Sequence, residues 1–149
     1  MTRYSYEVSF RYPHNHSKLR ALWLLLNLRS LGCFTALQLK RGLTLRELSE
    51  ATGVKYSTLA RHLGDWADRY RIVTRAKYET VCWAGSGVEV YHYKLAARGE
   101  RWVRRWLEYC PARHREQYRA HFQWYAREVH ALRALEEQKR KTESIMRGF

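Results

Sequence analysis

The spacing of apolar residues in segment 43–66 predicts two short helices joined by a turn. Thr44 stands where a side chain can cap the first helix, and Gly53 can adopt the left-handed backbone that ends it. Apolar residues then give each helix one buried face. These residues are Leu45, Leu48 and Ala51 in the first helix and Leu59, Leu63 and Trp66 in the second. A second helix presented in this way can enter a DNA major groove.

Two runs after these helices have the composition of strands. Residues 74–83 and 88–95 are rich in Val, Tyr, Thr and Trp, and the glycine-containing segment 84–87 lies between them. Arg69, Tyr70 and Arg71 are expected to finish the second helix, and Ile72 to begin the hairpin. The turn between the strands carries no Arg or Lys, so a cationic contact from the hairpin would come from Arg75 or Lys77.

Two segments carry a resemblance to a known family. Gly-Val-Lys-Tyr-Ser-Thr-Leu-Ala-Arg-His-Leu at 53–63 resembles the turn and recognition helix of winged helix-turn-helix regulators. Tyr-His-Tyr-Lys-Leu-Ala-Ala-Arg-Gly at 91–99 is similar to the last wing strand and following helix of the MarR-like and PadR-like families. The resemblance covers roughly the middle half of the chain. It implies a mainly α fold with a small antiparallel β wing, and this chain adds a long C-terminal helix.

Three residues depart from the pattern of those families. Lys55 occupies a position that is commonly a Ser cap, and Ala96 replaces the Thr expected after the last wing strand. Arg71 stands where a Gly often precedes the wing, so a non-glycine residue would carry a strained turn costing roughly 1 kcal/mol. These departures leave the subfamily open but not the fold.

The flanks of this middle region predict further elements. Residues 4–12 alternate aromatic or apolar side chains with polar ones, as in a half-buried strand, and Pro13 ends the pattern. Such a strand would pair with the wing or with its copy in a dimer, and a loosely packed aromatic arm is the alternative. Ser17 is a good cap for a helix running to about Leu31 and ending at Gly32. Segment 34–42 is a connector with room for one helical turn.

The C-terminal third predicts two more helices, separated by Pro111. The first spans residues 97–109 and the second about 114–141, and the polar tail 136–149 is expected to fray. The second helix has apolar residues at alternating spacings of four and three, which is typical of a helix that pairs with another helix. We assign these residues to a dimer interface, with folding back onto the same chain as the alternative. They are Tyr118, Phe122, Tyr125, Val129 and Leu132.

The chain therefore divides into an N-terminal arm at 1–16, a winged helix-turn-helix domain at 17–110 and a C-terminal helix with its tail at 111–149. A length of 149 residues suits one domain with a substantial core. The net charge of +14 indicates a polyanionic partner. Charge alone would fit a solubilising surface equally well, but together with the predicted helices it favours double-stranded DNA. The apolar run 21–26 is too short to cross a membrane, so a cytoplasmic, DNA-associated protein is expected.

The predicted recognition helix supplies most candidate DNA contacts. Arg61 is the best candidate for bidentate recognition of guanine O6 and N7. Tyr56 and Ser57 lie near the helix N-terminus, where they can reach bases or phosphates. The remaining candidates would position the DNA backbone rather than read bases. They are Lys55, Thr58 and His62 on the helix and Arg75 and Lys77 on the hairpin. A solvated surface role is the alternative for each residue.

Other function classes have little support in the sequence. No phosphate-binding loop, nucleophile elbow, zinc-protease motif or dinucleotide fingerprint is present, so we predict no enzyme and no cofactor. Cys33, Cys82 and Cys110 are too widely spaced for a zinc site, and His14 with His16 is a weak metal pair. A winged-helix protein-interaction module, or a DNA-binding part of a replication or packaging assembly, remains the alternative to a transcriptional regulator. The operator and any small-molecule effector stay open.

Overall fold

The computed structural model describes residues 16–81 and 87–148. This part of the chain is mostly helical, with a small three-stranded antiparallel sheet and a long C-terminal helix. The elements follow in chain order as α1 His16–Leu26, α2 Leu28–Leu31, α3 Ala36–Arg41, β1 Leu43–Thr44, α4 Leu45–Thr52, α5 Tyr56–Asp68, β2 Val73–Val81, β3 Gly87–Leu95, α6 Ala97–Tyr109 and α7 Ala112–Arg147.

The helix predicted for residues 17–31 is divided at Asn27. Asn27 has non-helical dihedral angles (φ −109°, ψ 20°), and its Nδ2 donates a 2.8 Å hydrogen bond to the Trp23 carbonyl. The backbone hydrogen bonds nevertheless continue past this residue, because the Asn27 amide also donates to the Trp23 carbonyl at 3.1 Å and its carbonyl accepts from the Leu31 amide at 3.2 Å. Gly32 ends α2 in the left-handed conformation at φ 68°, as predicted. The assignment of Ser17 as the cap was wrong, because α1 begins one residue earlier at His16.

Segment 34–42 contains a capped helix, α3. The Thr35 side chain accepts a hydrogen bond from the Gln38 amide, and the Gln38 side chain accepts one from the Thr35 amide. This reciprocal capping box satisfies two amides that a short helix otherwise leaves unpaired. Apolar periodicity is weak over six residues, so the sequence pattern indicated only a connector.

The sheet has the strand order β1-β3-β2, with antiparallel neighbours throughout. Strand β1 pairs Leu43 with Tyr93 and Thr44 with His92 on β3. Gly42 precedes this strand at φ 90°, and a Cβ atom there would lie 2.2 Å from the Tyr93 carbonyl oxygen. Only glycine permits so close a backbone approach. This approach places β1 on the edge of the hairpin, an arrangement that two strand residues could not signal by periodicity.

The two predicted helices of the central segment are present as α4 and α5. Thr44 and Glu47 form a capping box at the start of α4, which confirms the predicted cap. Gly53 ends α4 with φ 74°, also as predicted. Residues 69–71 do not finish α5, which ends at Asp68; they form the turn into β2. Arg71 adopts φ 56° in that turn, so the predicted strained position is real.

The core lies between α1 and the helices that surround it. Leu22 and Leu24 of α1 are completely buried, and Trp23 stacks on Phe122 of α7 with ring centroids 5.1 Å apart. Val103 brings α6 into the same cluster. Helix α6 follows Ala96, which provides no side-chain cap, as its replacement of Thr implied. The Ala96 amide instead donates to the Ile72 carbonyl at 2.9 Å, and Gly99 lies close to the same residue, so Ile72 holds the start of α6 in place.

The first half of α7 folds back on its own chain. Tyr118 and Phe122 are 2% and 0% exposed, so their assignment to a dimer interface was wrong: they have no free surface left to offer a partner. Tyr125 packs against the core, and its ring centroid lies 6.4 Å from that of Phe34. Val129 is half-buried, whereas Leu132 is 58% exposed. The alternative, folding back onto the same chain, therefore holds for Tyr118 and Phe122, the first residues of the predicted dimer interface.

The helix also continues beyond the predicted fraying point, to Arg147. Residues 136–143 read Glu-Glu-Gln-Lys-Arg-Lys-Thr-Glu, mostly strong helix formers. Lys141 contacts Glu137 one turn earlier at 3.5 Å, a pair that adds a few tenths of a kcal/mol. Polarity alone indicated a fraying tail, but these intrinsic preferences favour helix.

Several predictions concern residues outside the described ranges. They are the strand at 4–12, the metal pair of His14 with His16, Cys82, and the tip of the hairpin at 82–86. Within residues 16–81 and 87–148, no helix combines the length and apolar character needed to cross a membrane.

The burial of Phe122 leads to a stability prediction. Phe122→Ala should lower the free energy of unfolding by about 3–5 kcal/mol, because it leaves a cavity beneath Trp23. Chemical denaturation followed by circular dichroism measures this change. Gln123→Ala, at an exposed neighbouring position, is the control and should change stability by less than about 0.5 kcal/mol. A similar small loss for Phe122→Ala would contradict the packing described.

Candidate nucleic-acid interface

Helix α5 is attached to the domain by one fully buried face. Leu59 and Leu63 are 0% exposed and Trp66 is 2% exposed. Burial of side chains of this size stabilises the attachment by about 1.5–3 kcal/mol each. The position and direction of α5 are therefore set by the core, and its opposite face is free to contact a partner.

The turn before α5 is fixed by its own hydrogen bonds. Thr52 Oγ1 donates to the Leu48 carbonyl at 2.6 Å and accepts from the Val54 amide at 3.2 Å. Ser49 Oγ donates to the Val54 carbonyl at 2.7 Å. Because Thr52 is completely buried, these bonds are shielded from water. The angle between α4 and α5 is thus determined locally.

Side chains from two distant helices bind the carboxyl end of α4. Arg20 of α1 donates from Nη1 to the Thr52 carbonyl at 2.9 Å. His121 of α7 makes a 2.9 Å hydrogen bond from Nε2 to the Ala51 carbonyl, so that nitrogen carries the proton. The last carbonyls of a helix lack intrahelical partners, and side-chain N–H donors supply them here. These bonds connect the turn to the body of the domain.

The outer face of α5 presents polar and cationic groups at its N-terminal half. Lys55, Tyr56, Ser57 and Arg61 are exposed, with Tyr56 at 57%, and Thr58 is half-buried. Lys55 precedes the helix without a side-chain cap, in agreement with its replacement of Ser. The amides of the first turn and the positive end of the helix dipole thus face outward, where an anion is favourable.

His62 does not belong to this outer face. It is only 6% exposed and stacks on Trp66 with ring centroids 5.7 Å apart, so its assignment as a DNA contact was wrong. Its position follows Leu59 by three residues, which places it on the buried stripe. Burial lowers the pKa of His62, nearby Lys18 and Arg61 lower it further, and Asp65 acts in the opposite direction. His62 is therefore a neutral core residue.

The hairpin places its two predicted cations beside an exposed tyrosine. The Arg75 guanidinium lies 4.8 Å from the Tyr91 ring centroid, and the Lys77 ammonium lies 5.0 Å from it. Both interactions are cation–π contacts that restrain long side chains. Arg75 also donates from Nη2 to both carboxylate oxygens of Asp68, at 2.8 and 3.0 Å. Part of the Arg75 charge is thus neutralised, which leaves Lys77 as the freer cation.

A buried tyrosine connects α5 to this hairpin face. Burial raises the pKa of Tyr93, nearby Arg75 lowers it in part, and Tyr56 and Tyr91 act in the raising direction. The hairpin also meets α5 directly, because Arg75 pairs with Asp68 at the end of the helix at 2.8 Å. We group the outer side chains of α5 and of the adjoining hairpin face as the α5–hairpin surface, comprising Lys55, Tyr56, Ser57, Thr58, Arg61, Arg75, Lys77 and Tyr91.

The far end of the hairpin has the opposite charge. Glu79 on β2 lies directly across from Glu89 on β3, and both side chains are exposed. Two carboxylates at opposed positions repel each other and any phosphate. The hairpin is therefore cationic at its base and anionic farther out. The residue pattern within each strand did not indicate this gradient, because it depends on how the two strands pair.

The opposite face of the hairpin carries cations that the sequence pattern did not indicate. The Arg41 guanidinium lies 4.4 Å from the Tyr78 ring centroid, and Lys94 Nζ donates to the Lys40 carbonyl at 3.2 Å. In the sequence, Lys40 and Arg41 form a basic pair at the end of α3, but no pattern predicts that this pair lies beside the hairpin. The sheet order brings this pair next to β3.

The described residues contain no group of three or more His, Cys, Asp or Glu side chains arranged to hold a metal ion. Cys33 and Cys110 are buried free thiols, and burial raises the pKa of each. Comparison with protein-family models, with curated proteins and with solved structures finds no match to this chain. The function of the α5–hairpin surface is accordingly inferred from its own chemistry.

The lowered pKa of His62 predicts a loss of stability in acid. The unfolded chain binds a proton at this imidazole near pH 6.5, whereas the folded chain binds it only at lower pH. As the pH falls from 6.5 towards the folded-state pKa, the free energy of unfolding should fall by at most about 1.4 kcal/mol per pH unit. Well above pH 6.5, where the imidazole is neutral in both states, this residue should have no effect on the pH dependence.

Urea denaturation across this pH range measures the effect. His62→Gln should flatten the acid side of the stability profile, and His130→Gln, at an exposed histidine of α7, should leave it unchanged. An unchanged acid slope in His62→Gln would mean that other groups cause it.

Proposed function

We propose that this protein binds double-stranded DNA through the α5–hairpin surface and acts as a transcriptional regulator. In this proposal the N-terminal half of α5 enters the major groove and the base of the hairpin contacts the phosphate backbone. The observation that carries it is the two-sided nature of α5. Its inner face is completely buried, and its outer face offers Arg61, Tyr56 and an uncapped N-terminus beside the hairpin cations.

The order of elements supports a winged helix as the architecture behind this function. A helix, a three-residue turn and a second helix are followed by a two-stranded hairpin, with β1 completing the sheet. The left-handed Arg71 occupies the turn into the hairpin, where the related families often have Gly. The mostly helical fold with its small sheet is observed, and we propose that it is a winged helix.

Each candidate contact has a role that follows from its position. Arg61 lies one turn into α5, on the face opposite the buried leucines, where a guanidinium can bind guanine bidentately. Tyr56 and Ser57 are placed to contact bases or phosphates at the helix start. The hairpin cations Lys77 and, through its remaining donors, Arg75 are suited to phosphate contacts. The net charge of +14 adds long-range attraction to a polyanion.

A protein-interaction module is the second candidate, and the outer hairpin favours it. Glu79 and Glu89 oppose each other there, and Val88 is 50% exposed. Such a mixed acidic and apolar surface suits a protein partner better than a phosphate backbone. Binding to a duplex at moderate salt separates the two candidates, because an interaction module should show none. A DNA-binding component of a replication or packaging assembly would also bind DNA and differ in its sequence preference.

The proposal predicts a strong dependence of DNA affinity on salt. A surface that contacts six to ten phosphates should lose roughly 10³-fold or more in affinity between about 50 and 200 mM salt, because counterions are released on binding. Fluorescence anisotropy with a labelled duplex at several salt concentrations measures the slope. An affinity that does not change with salt concentration would show that the positive charge does not contact phosphates.

Arg61 and Lys77 should differ in what they contribute. Arg61→Ala should cost about 1–3 kcal/mol on a preferred duplex and little on random DNA, because a base contact is lost. Lys77→Ala should weaken both duplexes about equally and reduce the salt slope by about one, because a phosphate contact is lost. Titrations of each variant with a selected duplex and a scrambled one measure both effects.

Arg104→Ala is the matched control for loss of a positive charge. Arg104 lies on α6 and pairs with Glu100 at 3.0 Å, away from the α5–hairpin surface. Its loss should change neither the preference nor the affinity by more than the long-range effect of one charge. Equal weakening of both duplexes by Arg61→Ala would reassign Arg61 to backbone contact.

A further inference from the structure

A groove of about 700 Å³ lies between the first two helices, α1 and α2, and the first half of α7. Its floor is apolar, and the described residues that line it include no Asp or Glu. The floor residues, each buried or half-buried, are Trp23, Leu26, Leu31, Leu107 and Ala126. The lining includes no residue of α5 or of the described hairpin, so the groove is separate from the α5–hairpin surface. We call it the α1–α7 groove.

One wall of the α1–α7 groove is a line of basic side chains on α7. Arg115, Arg119, Gln123 and Arg127 line the groove at intervals of four residues, and all four are exposed. Residues at this spacing form the ridges along which helices pack against one another. At 1.5 Å per residue, the three arginines extend over about 18 Å of the helix. This basic ridge places a row of positive charge beside an apolar floor.

The charges of the basic ridge are largely uncompensated. Arg119 pairs with Glu116 at 3.2 Å, but both side chains are more than half exposed. Water screens such a pair, which contributes less than about 1 kcal/mol. Among the described residues, neither Arg115 nor Arg127 forms an ion pair with a carboxylate. All three arginines are therefore available to acidic groups of a partner.

The floor of the groove is held in place by contacts within the domain. Trp23 stacks on Phe122 with an angle of 4° between the ring planes, and Asn27 donates a hydrogen bond to the Trp23 carbonyl. The small side chain of Ala126 leaves the floor open where a larger one would fill it. A preformed apolar site loses little conformational entropy when a partner binds.

We propose that the α1–α7 groove binds an acidic amphipathic helix of a partner protein, with apolar side chains on the floor and carboxylates along the basic ridge. In this mode of recognition, the bound helix inserts apolar residues spaced by three and four positions. A helix of about 12 residues has the length of the ridge. The interaction goes beyond the proposed DNA binding and does not depend on it.

Other occupants match the groove less well. A small organic acid has too few carboxylates for arginines that extend over about 18 Å. A second copy of this chain would bring a net charge of +14 towards the ridge. The chain's own residues 1–15 include Arg3 and Arg11 but only one acidic residue, Glu7. A nucleic-acid duplex offers phosphates to the ridge but no apolar face to the floor. An acidic amphipathic helix satisfies both.

A designed peptide is the probe for this site. It is a labelled helix of about 16 residues, with leucine at every third or fourth position and glutamates on either side of the leucines. The full chain should bind it with a Kd of roughly 1–100 µM, measured by fluorescence anisotropy without DNA. Replacing the leucines by serine, or the glutamates by lysine, should each weaken binding by at least about tenfold. The first change removes the apolar anchors, and the second creates like-charge contacts.

Charge reversal on the basic ridge tests the location. The double variant Arg119→Glu with Arg127→Glu should bind the acidic peptide at least about tenfold more weakly and the lysine peptide more tightly than the wild type does. Lys139→Glu with Arg140→Glu is the matched control, because both residues are exposed on α7 outside the groove. It changes the net charge equally and should weaken binding by less than about threefold. Circular dichroism verifies that both variants remain folded.

Three results would overturn the proposal. One is an acidic peptide that does not bind at up to about 100 µM, or that binds equally well with serine in place of leucine. Another is an equal loss of binding in the two double variants, which would indicate only general attraction to a basic protein. The third is a ridge variant that binds the peptide normally but loses as much affinity for duplex DNA as Lys77→Ala, which would assign the ridge to nucleic acid.

Discussion

The carboxyl end of α4 is the point on which the rest of the structure depends. Arg20 from α1 and His121 from α7 bind its last carbonyls, while Thr52 and Ser49 close the turn that follows. Buried carbonyls without partners would cost free energy, so these bonds hold three helices together as well as satisfying the turn. The turn before α5 is consequently joined to α1 and α7 by residues far apart in the sequence.

Positive and negative charges are unevenly distributed over α5 and the hairpin. The cations Lys55 and Arg61 lie on the exposed side of α5 and Lys77 lies on β2, whereas Glu79 and Glu89 lie farther out on the strands. A phosphate backbone would be attracted to the base of the hairpin and repelled from its outer part. In the proposed binding mode, this gradient would limit the orientations in which a duplex docks.

The two halves of helix α7 differ in how much of their surface is buried. Its first half completes the core, where Phe122 stacks on Trp23 and Tyr118 is buried so deeply that its pKa rises to about 12. Its second half has helix-favouring residues but no contact with the rest of the described chain that would bury it.

The sequence by itself determined the local elements of the central region. Thr44 and Gly53 marked the limits of α4, an apolar repeat defined the buried face of α5, and Arg71 indicated a strained turn. Each of these signals acts within a few residues, through a cap, a backbone conformation or a helical repeat. The exposed candidates on α5 followed from the same repeat, except that His62 was interpreted as polar surface although its spacing placed it on the buried side.

Only the tertiary structure decided which surfaces meet. The apolar repeat of Tyr118 and Phe122 is equally suited to a partner helix and to the chain's own core, because removing apolar surface from water lowers the free energy by the same amount in either place. The two-residue strand β1, the contact of His121 with α4 and the union of α5 with the hairpin all join residues far apart in sequence. Such contacts leave no periodic pattern in the chain, since they depend on close packing in three dimensions rather than on spacing along it.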